Sequence, residues 1–570
     1  MKAKYLYIIL ILLPFFAACS DWLREDGPMT NRVEDFFTSG QTAVQVTNAV
    51  YTPLMWEFQG TYYSEFYFGD ILSDDALKGG QNISDMSNAY DLENFKAISN
   101  NTMVLDFFRA QYMGIARANL AIEQVPAMAV DSTLTEGLRT RLEAEARYMR
   151  AYYYFRLVRL YGGVPISTSP IYSSADWKVP RSSVDEVYAQ IVSDLEFAEG
   201  RLPLKSAYPA EDLGRATKGA AQAMLMKAYM YWGDHKRNNG EASADLYATA
   251  KSWGGKFMTE QAGEYGLHPD YRDNFTLEGE NGMESVFEIQ YMEDGMSDYG
   301  EGNGFTRGTF ALVQMRSRST KFGVKGWGFN KPTQNLYDEF EAGDPRRDAS
   351  IFIPIDEQMS SPAEEIYLGN RYLSAKRTML DNSYLDRHIS GDYDLTDEEA
   401  YKKFCESLYI TLDDDHDSRS PINSILIRLA DVYLMYAEVC LRNGDVSTAR
   451  TYLEMVRSRA RGNDDILPEF PGYKVPDYRN AYALHQLADT PEDLELAIRH
   501  ERRVELAMEC HRWYDLCRWG IVKEVMDAYK ASETLEARQH MAEFVKGKHE
   551  LLPIPDEEVR LGGLAQNPGY

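Results

Sequence analysis

The densest run of reactive side chains lies between Arg499 and Trp519, RHERRVELAMECHRWYDLCRW, where imidazoles, carboxylates, guanidiniums and thiols crowd together. A zinc hydrolase sets two histidines at i and i+4 around a glutamate, so that both imidazoles face one side of a helix. His500-Glu501 begins that pattern, but Val504 stands where the second imidazole is required. Glu501, Glu505 and Glu509 recur every fourth residue as one acidic stripe. Arg499, Arg502 and Arg503 beside it supply i, i+3 and i+4 partners. The spacing predicts a structural ion-pair network, not acid–base catalysis. Cys510 and Cys517 stand about 10 Å apart along a helix, beyond the roughly 7 Å a disulfide spans. With Cys405 and Cys440 they are expected as small buried apolar residues. Asp413-Asp414-Asp415 with Asp417 lacks the glycine and terminal glutamate of a calcium loop and is expected as an exposed acidic loop. The sequence holds no G-x-S-x-G elbow, phosphate-binding loop or CxxC pair. No catalytic residue, metal site or cofactor is expected.

One cysteine differs from the rest. Lys2 and Lys4 precede YLYIILILLPFFAA, an apolar run from Tyr5 to Ala18 that ends in Ala17-Ala18-Cys19. As a helix the run reaches about 21 Å, short of the roughly 30 Å of a bilayer core. Residues 1–18 are therefore expected to be an export signal. Small residues directly before Cys19 resemble a bacterial lipoprotein cleavage box, which would make Cys19 the lipidated N-terminus and membrane anchor. Composition narrows the partners. Lys plus Arg total 60 against 88 Asp plus Glu, a formal charge of −28. Such a polyanion repels phosphate backbones, so nucleic acid is excluded as a partner.

The elements that must position these residues are mostly helices. Ile425, Leu429, Val432, Tyr436 and Cys440 recur at helical spacing, and Asn443-Gly444-Asp445 turns the chain into a second amphipathic helix, Val446 to Arg461. Ala216 to Trp232 and Ala244 to Trp253 repeat the plan around Gly233-Asp234. Helix, turn and Ala/Tyr-bearing helix predict tetratricopeptide-like hairpins stacked as a scaffold. Arg141 to Pro165 reads as a further helix, stopped by Gly162-Gly163, whose Tyr152, Tyr153, Tyr154 and Phe155 are expected to pack inside because consecutive residues cannot share one helical face. Gly60 to Asn101 and Tyr265 to Arg347 lack sustained periodicity but are rich in aromatics, which predicts long ordered loops over the helical frame. The expected fold is thus mainly all-α, with a few short strands.

Ordered matches along nearly the whole chain resemble the SusD-like (RagB/SusD) family of outer-membrane nutrient-binding lipoproteins. They include Asp21-Trp22-Leu23, Ser73-Asp74-Asp75, Arg141 to Pro165, Gly214 to Lys218 and Glu284 to Ile289. In the second half they include Asp344 to Arg347, Ile427 to Asp431, Glu501 to Leu506, Arg512 to Leu516, Leu552 to Pro555 and Gln566 to Tyr570. The resemblance implies a non-enzymatic, lipid-anchored protein on the outer face of the outer membrane, as one domain of residues 19–570 whose halves, about 19–260 and 280–570, pack together. It implies capture of a glycan or other nutrient and delivery to a TonB-dependent SusC-like barrel. By the placing of family sites it implies ligand contacts on the loops. Asp74, Lys78, Asn82, Tyr90 and Phe95 are the candidates on the first loop, and Tyr299, Phe305 and Trp327 on the second. Aromatic rings suit the C–H face of a pyranose, and polar side chains suit its hydroxyls. Two other readings stay open: an anchored glycoside hydrolase, and an interaction scaffold without a ligand of its own.

Overall fold

Helix boundaries follow side chains that satisfy the first free backbone N–H groups. Asn101 caps α2 (Thr102–Ala127), Thr135 caps α3 (Glu136–Tyr161), and Ser183 with Glu186 forms a capping box on α4 (Val184–Glu199). Thr217 caps α5 (Lys218–Asn238), followed by α6 (Ala244–Glu260). In the second half come α7 (Leu429–Arg442), α8 (Val446–Arg461), capped by Asp445, and α9 (Pro491–Glu505), capped by Thr490; then α10 (Arg512–Trp519) and α11 (Val522–Ser532). A first helix, α1 (Gly40–Tyr51), packs on α2 and α3. The structure is a computed structural model that describes residues 36–58, 60–173, 176–292, 308–315, 327–351, 421–462, 466–532 and 541–570. Cys19, the export signal, Tyr299, Phe305, Cys405 and the Asp413–Asp417 run lie outside the described residues.

From α2 to α8 each of these helices packs against the next in sequence. The result is a row of hairpins, mainly helical as the periodicity predicts. Strands are short and come in antiparallel pairs: β1 (Ala76–Gly79) with β3 (Phe329–Pro332), β2 (Ser285–Ile289) with β4 (Ser424–Arg428), and β5 (Lys474–Asp477) with β6 (Ala483–Gln486). A contiguous cluster of buried apolar side chains extends from Ala43 to Leu564. Among the described residues no helix is long and apolar enough to cross a membrane.

Some boundaries depart from the periodicity. Residues 425–428 are strand rather than helix, because they pair with β2 and leave helical geometry to begin at Leu429. α5 runs through Gly233-Asp234 to Asn238. Gly233 belongs inside the helix because the Tyr247 ring of α6 rests on it, 2.9 Å from where a Cβ would stand. The Tyr247 hydroxyl donates to Asp234 at 2.7 Å. α3 ends as expected at Gly162, whose φ of 73° suits glycine. Tyr152, Tyr153, Tyr154 and Phe155 point around α3 yet are all buried, because this part of the helix is covered on every side.

Candidate ligand-binding site

The acidic stripe is indeed structural, but its partners are distant in sequence. Arg428, at the end of β4, is saturated: Nε and Nη2 donate to Glu509 at 2.8 Å, Nη1 to Glu284 and Glu505 at 2.8 and 2.6 Å, and Nη2 also to the Glu505 carbonyl. Arg346 joins Asp344, Glu501 and Glu505, while Arg457 reaches Glu501. The arginines of α9 turn elsewhere. Arg502 pairs with Asp431 and Asp515, and Arg503 with Asp74, Asp75 and Glu339. His500 sits between Glu339 and Glu341. Burial alone would lower its pKa, but the two carboxylates outweigh burial and raise it to about 9. Each of these side chains is thus held by others of the network. Cys440, Cys510 and Cys517 form no disulfide with one another, and the first two are buried.

The same network takes several candidate contacts out of reach of a ligand. Asp74 is fully buried, and both its oxygens accept from Arg512. Burial pushes its pKa up, but Arg503 and Arg512 prevail and hold it at about 2. Lys78 is buried too; its ammonium donates to the carbonyls of Asn82 and Asp85 and lies 5.5 Å from the Phe329 ring centre. Burial draws its pKa down to about 8. Phe95 packs in the core, stacked on His549 and near Trp513. Asp74, Lys78 and Phe95 therefore hold the first loop in place. Asn82 is exposed, with its Oδ1 accepting from Ser84 and Asp85 in a turn, and Tyr90 is half-buried beside Lys96.

Trp327 has a different setting. Glu57-Phe58 and Tyr62-Tyr63 pair as the arms of a tight hairpin, in which Tyr63 N–H donates to the Glu57 carbonyl at 2.9 Å and Phe58 bridges Tyr62. Alternation along the hairpin sends Glu57 and Tyr63 inward and leaves Phe58 and Tyr62 half-buried at the surface. Tyr62 lies 4.8 Å from Phe58, 5.2 Å from Trp327 and 5.7 Å from Phe310, between ring centres. Phe310 and Phe329, both about 1% exposed, back this surface from inside. Trp327 is fixed through its backbone, whose N–H donates to the Val313 carbonyl at 2.8 Å. Thr61 N–H and Oγ1 both donate to Asp106, pinning the hairpin tip to α2. Phe58, Tyr62 and Trp327 so form a half-exposed aromatic patch on a fixed frame. Its apolar faces suit sugar C–H groups, and Asp106 and Thr61 at its edge suit hydroxyls.

Of the residues proposed from sequence, the structure places Trp327 in this patch. Phe58, Tyr62 and their backing rings Phe310 and Phe329 were not foreseen. The available signal was local: WEFQGTYY puts aromatics on both sides of Gln59-Gly60, at hairpin spacing. Among the described residues no cluster of His, Cys, Asp or Glu is arranged to hold a metal.

Comparison with known proteins bears on the whole chain. A family model described as "SusD family" matches residues 283–570, and one described as "Starch-binding associating with outer membrane" matches residues 21–230. The chain is 24% identical to SusD-like protein P25 of Formosa agariphila over 588 residues, covering 100% of both. Among solved structures it resembles a laminarin binding SusD-like protein, at 27% identity and a TM-score of 0.69 over 94% of this chain and 100% of that one. It also resembles surface glycan-binding protein A from Bacteroides thetaiotaomicron in complex with laminarihexaose, with a TM-score of 0.66 over 92% of this chain and 99% of that one. The latter is 22% identical, so the likeness there is one of fold.

Proposed function

We propose, from the premise that this chain belongs to the SusD family, that it is a surface glycan-binding protein which holds its ligand without cleaving it. The observation that carries this reading is the half-exposed patch of Phe58, Tyr62 and Trp327, rigidly backed and edged by Asp106 and Thr61. Asn82, Tyr90, Tyr299 and Phe305 are proposed as further ligand contacts. The laminarin bound by a structural relative supports a β-glucan as the first ligand to test. Cys19 is proposed as the lipidated residue that anchors the protein to the outer membrane, facing outward, after removal of residues 1–18. The stacked hairpins are read as degenerate tetratricopeptide units that lean on a SusC-like TonB-dependent barrel, to which the glycan passes.

Calorimetric titration of the chain lacking residues 1–19 with laminarin, starch and other polysaccharides tests the reading. Saturable binding to at least one glycan is expected. A folded protein silent across the panel would overturn it. Long incubation with the bound glycan separates binder from hydrolase, which needs two carboxyls about 5–10 Å apart across the sugar. Unchanged chain length is expected, and shortened products would sink the non-enzymatic assignment. Affinity purification from membranes checks the barrel partner.

A further inference from the structure

Glu57 is buried directly behind the aromatic patch, and among the described residues it has no salt bridge. Its carboxyl joins two stretches of chain far apart in sequence. Oε1 lies 3.2 Å from Ser64 Oγ and 3.1 Å from Thr309 Oγ1; Oε2 lies 3.0 Å from Thr309 Oγ1 and accepts the Phe310 N–H at 2.6 Å. One side of this brace is the hairpin that presents Phe58 and Tyr62. The other is the segment that carries Phe310 against Tyr62 and offers the Val313 carbonyl to Trp327.

Phe310 N–H, Thr309 Oγ1 and Ser64 Oγ all donate to the carboxyl. Burial without a facing cation among the described residues favours the neutral acid, in which one of the two hydroxyls turns to accept its proton. An ionised carboxyl lacks a compensating cation there. The groups facing it are Tyr63 on the hairpin, Tyr67 beyond it, and Tyr291 after β2; Arg156 of α3 is taken up by Glu65 and Gln111. A cavity of about 60 Å³ beside it, lined by Glu57, Tyr63, Glu65 and Tyr291 and also by Arg156, Arg159, Lys227, Glu509 and His511, has room for water; Arg159 pairs with Glu65 and Lys227 with Asp431. Trp56 Nε1 and Tyr63 Oη, without protein partners, belong to residues of the same lining.

We infer that Glu57 is a positioning residue for the aromatic patch, bracing it as the neutral acid, so that glycan binding weakens as the carboxyl ionises. The inference rests on the glycan-binding reading of that patch. Burial raises the Glu57 pKa from 4.5 to about 7, against the opposing pull of Phe310, Thr309 and Ser64. The sign follows from linkage: the braced state holds its proton more tightly than a solvated one. The brace is therefore strongest below pH 4.5 and weakens as pH rises to about 7.

Hydrogen exchange of residues 308–315, corrected for the intrinsic pH dependence of exchange, reads the brace without any ligand. Wild type is expected to lose on the order of 50- to 100-fold in protection between pH 5 and pH 8. Glu57→Gln, a neutral isostere, is expected to keep its protection at pH 8, and Glu57→Ala to be poorly protected at both. Protection that is flat with pH in wild type, or a pH dependence that persists in Glu57→Gln, overturns the inference. Titration with laminarin at the same pH values is expected to follow the same profile. If protection titrates but laminarin and every other glycan fail to bind at any pH, the glycan reading falls and the brace stands. If a glycan binds with equal affinity across the range in wild type and Glu57→Gln, the brace does not govern binding.

Discussion

The ionic frame around α9 and the aromatic patch on the 57–63 hairpin are built on opposite plans. The frame is rich in groups that could do chemistry, and it uses all of them on itself. Arg428, Arg346, Arg502 and Arg503 are almost wholly buried, with carboxylates around each. Burying a charge costs several kcal/mol unless a partner and further hydrogen bonds offset it, which is why each guanidinium is so fully satisfied. The patch has little charge, and its rings keep part of their surface open. Density of reactive residues thus marks the scaffold in this protein, and the proposed binding surface is the sparser region. The frame also fixes the loop behind the patch: Arg503 and Arg512 grip Asp74, and from there β1 pairs with β3, which follows Trp327.

Mutations can break this contrast, and the frame should give the largest effect. Arg428→Ala removes the cation that Glu284, Glu505 and Glu509 share, with Arg459 still paired to Glu284 and Glu505. A loss of about 3–5 kcal/mol is expected, seen as a large fall in Tm or a failure to fold; a near-native Tm would refute the structural role. Next comes His500, whose raised pKa makes its contribution to stability complete below pH 6.5 and lost as pH climbs toward 9. The contribution is on the order of 2–3 kcal/mol. Wild-type Tm should decline across that window, whereas Glu57 titrates at lower pH; His500→Gln should remove the decline, and its persistence would assign it to another group.

On the patch, Trp327→Ala is expected to weaken glycan binding by about 2 kcal/mol while shifting Tm by little, the inverse of the Arg428 result. Equal affinity in calorimetry would remove Trp327 from the site. Asn82→Ala and Tyr90→Ala sharpen the boundary of the patch. Each should change Kd only about two- to threefold, on the order of 0.5 kcal/mol. A tenfold loss at either would extend the surface onto the first loop.

Much of the frame was legible because local rules suffice there. The four-residue recurrence of Glu501, Glu505 and Glu509 identified a structural stripe, and Val504 in place of a second histidine broke the zinc-hydrolase motif. Local spacing named the wrong partners, though, since the stripe pairs with Arg346, Arg428 and Arg457 from other elements. The patch was less legible. Lys78 and Phe95 are types that bind sugars as readily as they fill a core, and only burial separates the two uses. Trp327 was visible by type, but Phe58 and Tyr62 required the hairpin that turns them outward.

By itself the sequence determined the mainly helical class, some helix ends such as those at Gly162, Asp445 and Arg461, the inward packing of Tyr152 to Phe155, and the structural nature of the Arg499–Trp519 run. Those features depend on periodicity, capping and turn chemistry, which act over a few residues. Tertiary structure alone decided that Ile425 to Arg428 extend as a strand, that Gly233 stays within a helix, and that Asp74 faces arginines instead of solvent. It also decided which rings meet around Tyr62. Each of these depends on a neighbour brought from elsewhere in the chain, and packing of that kind leaves no local pattern from which it can be read.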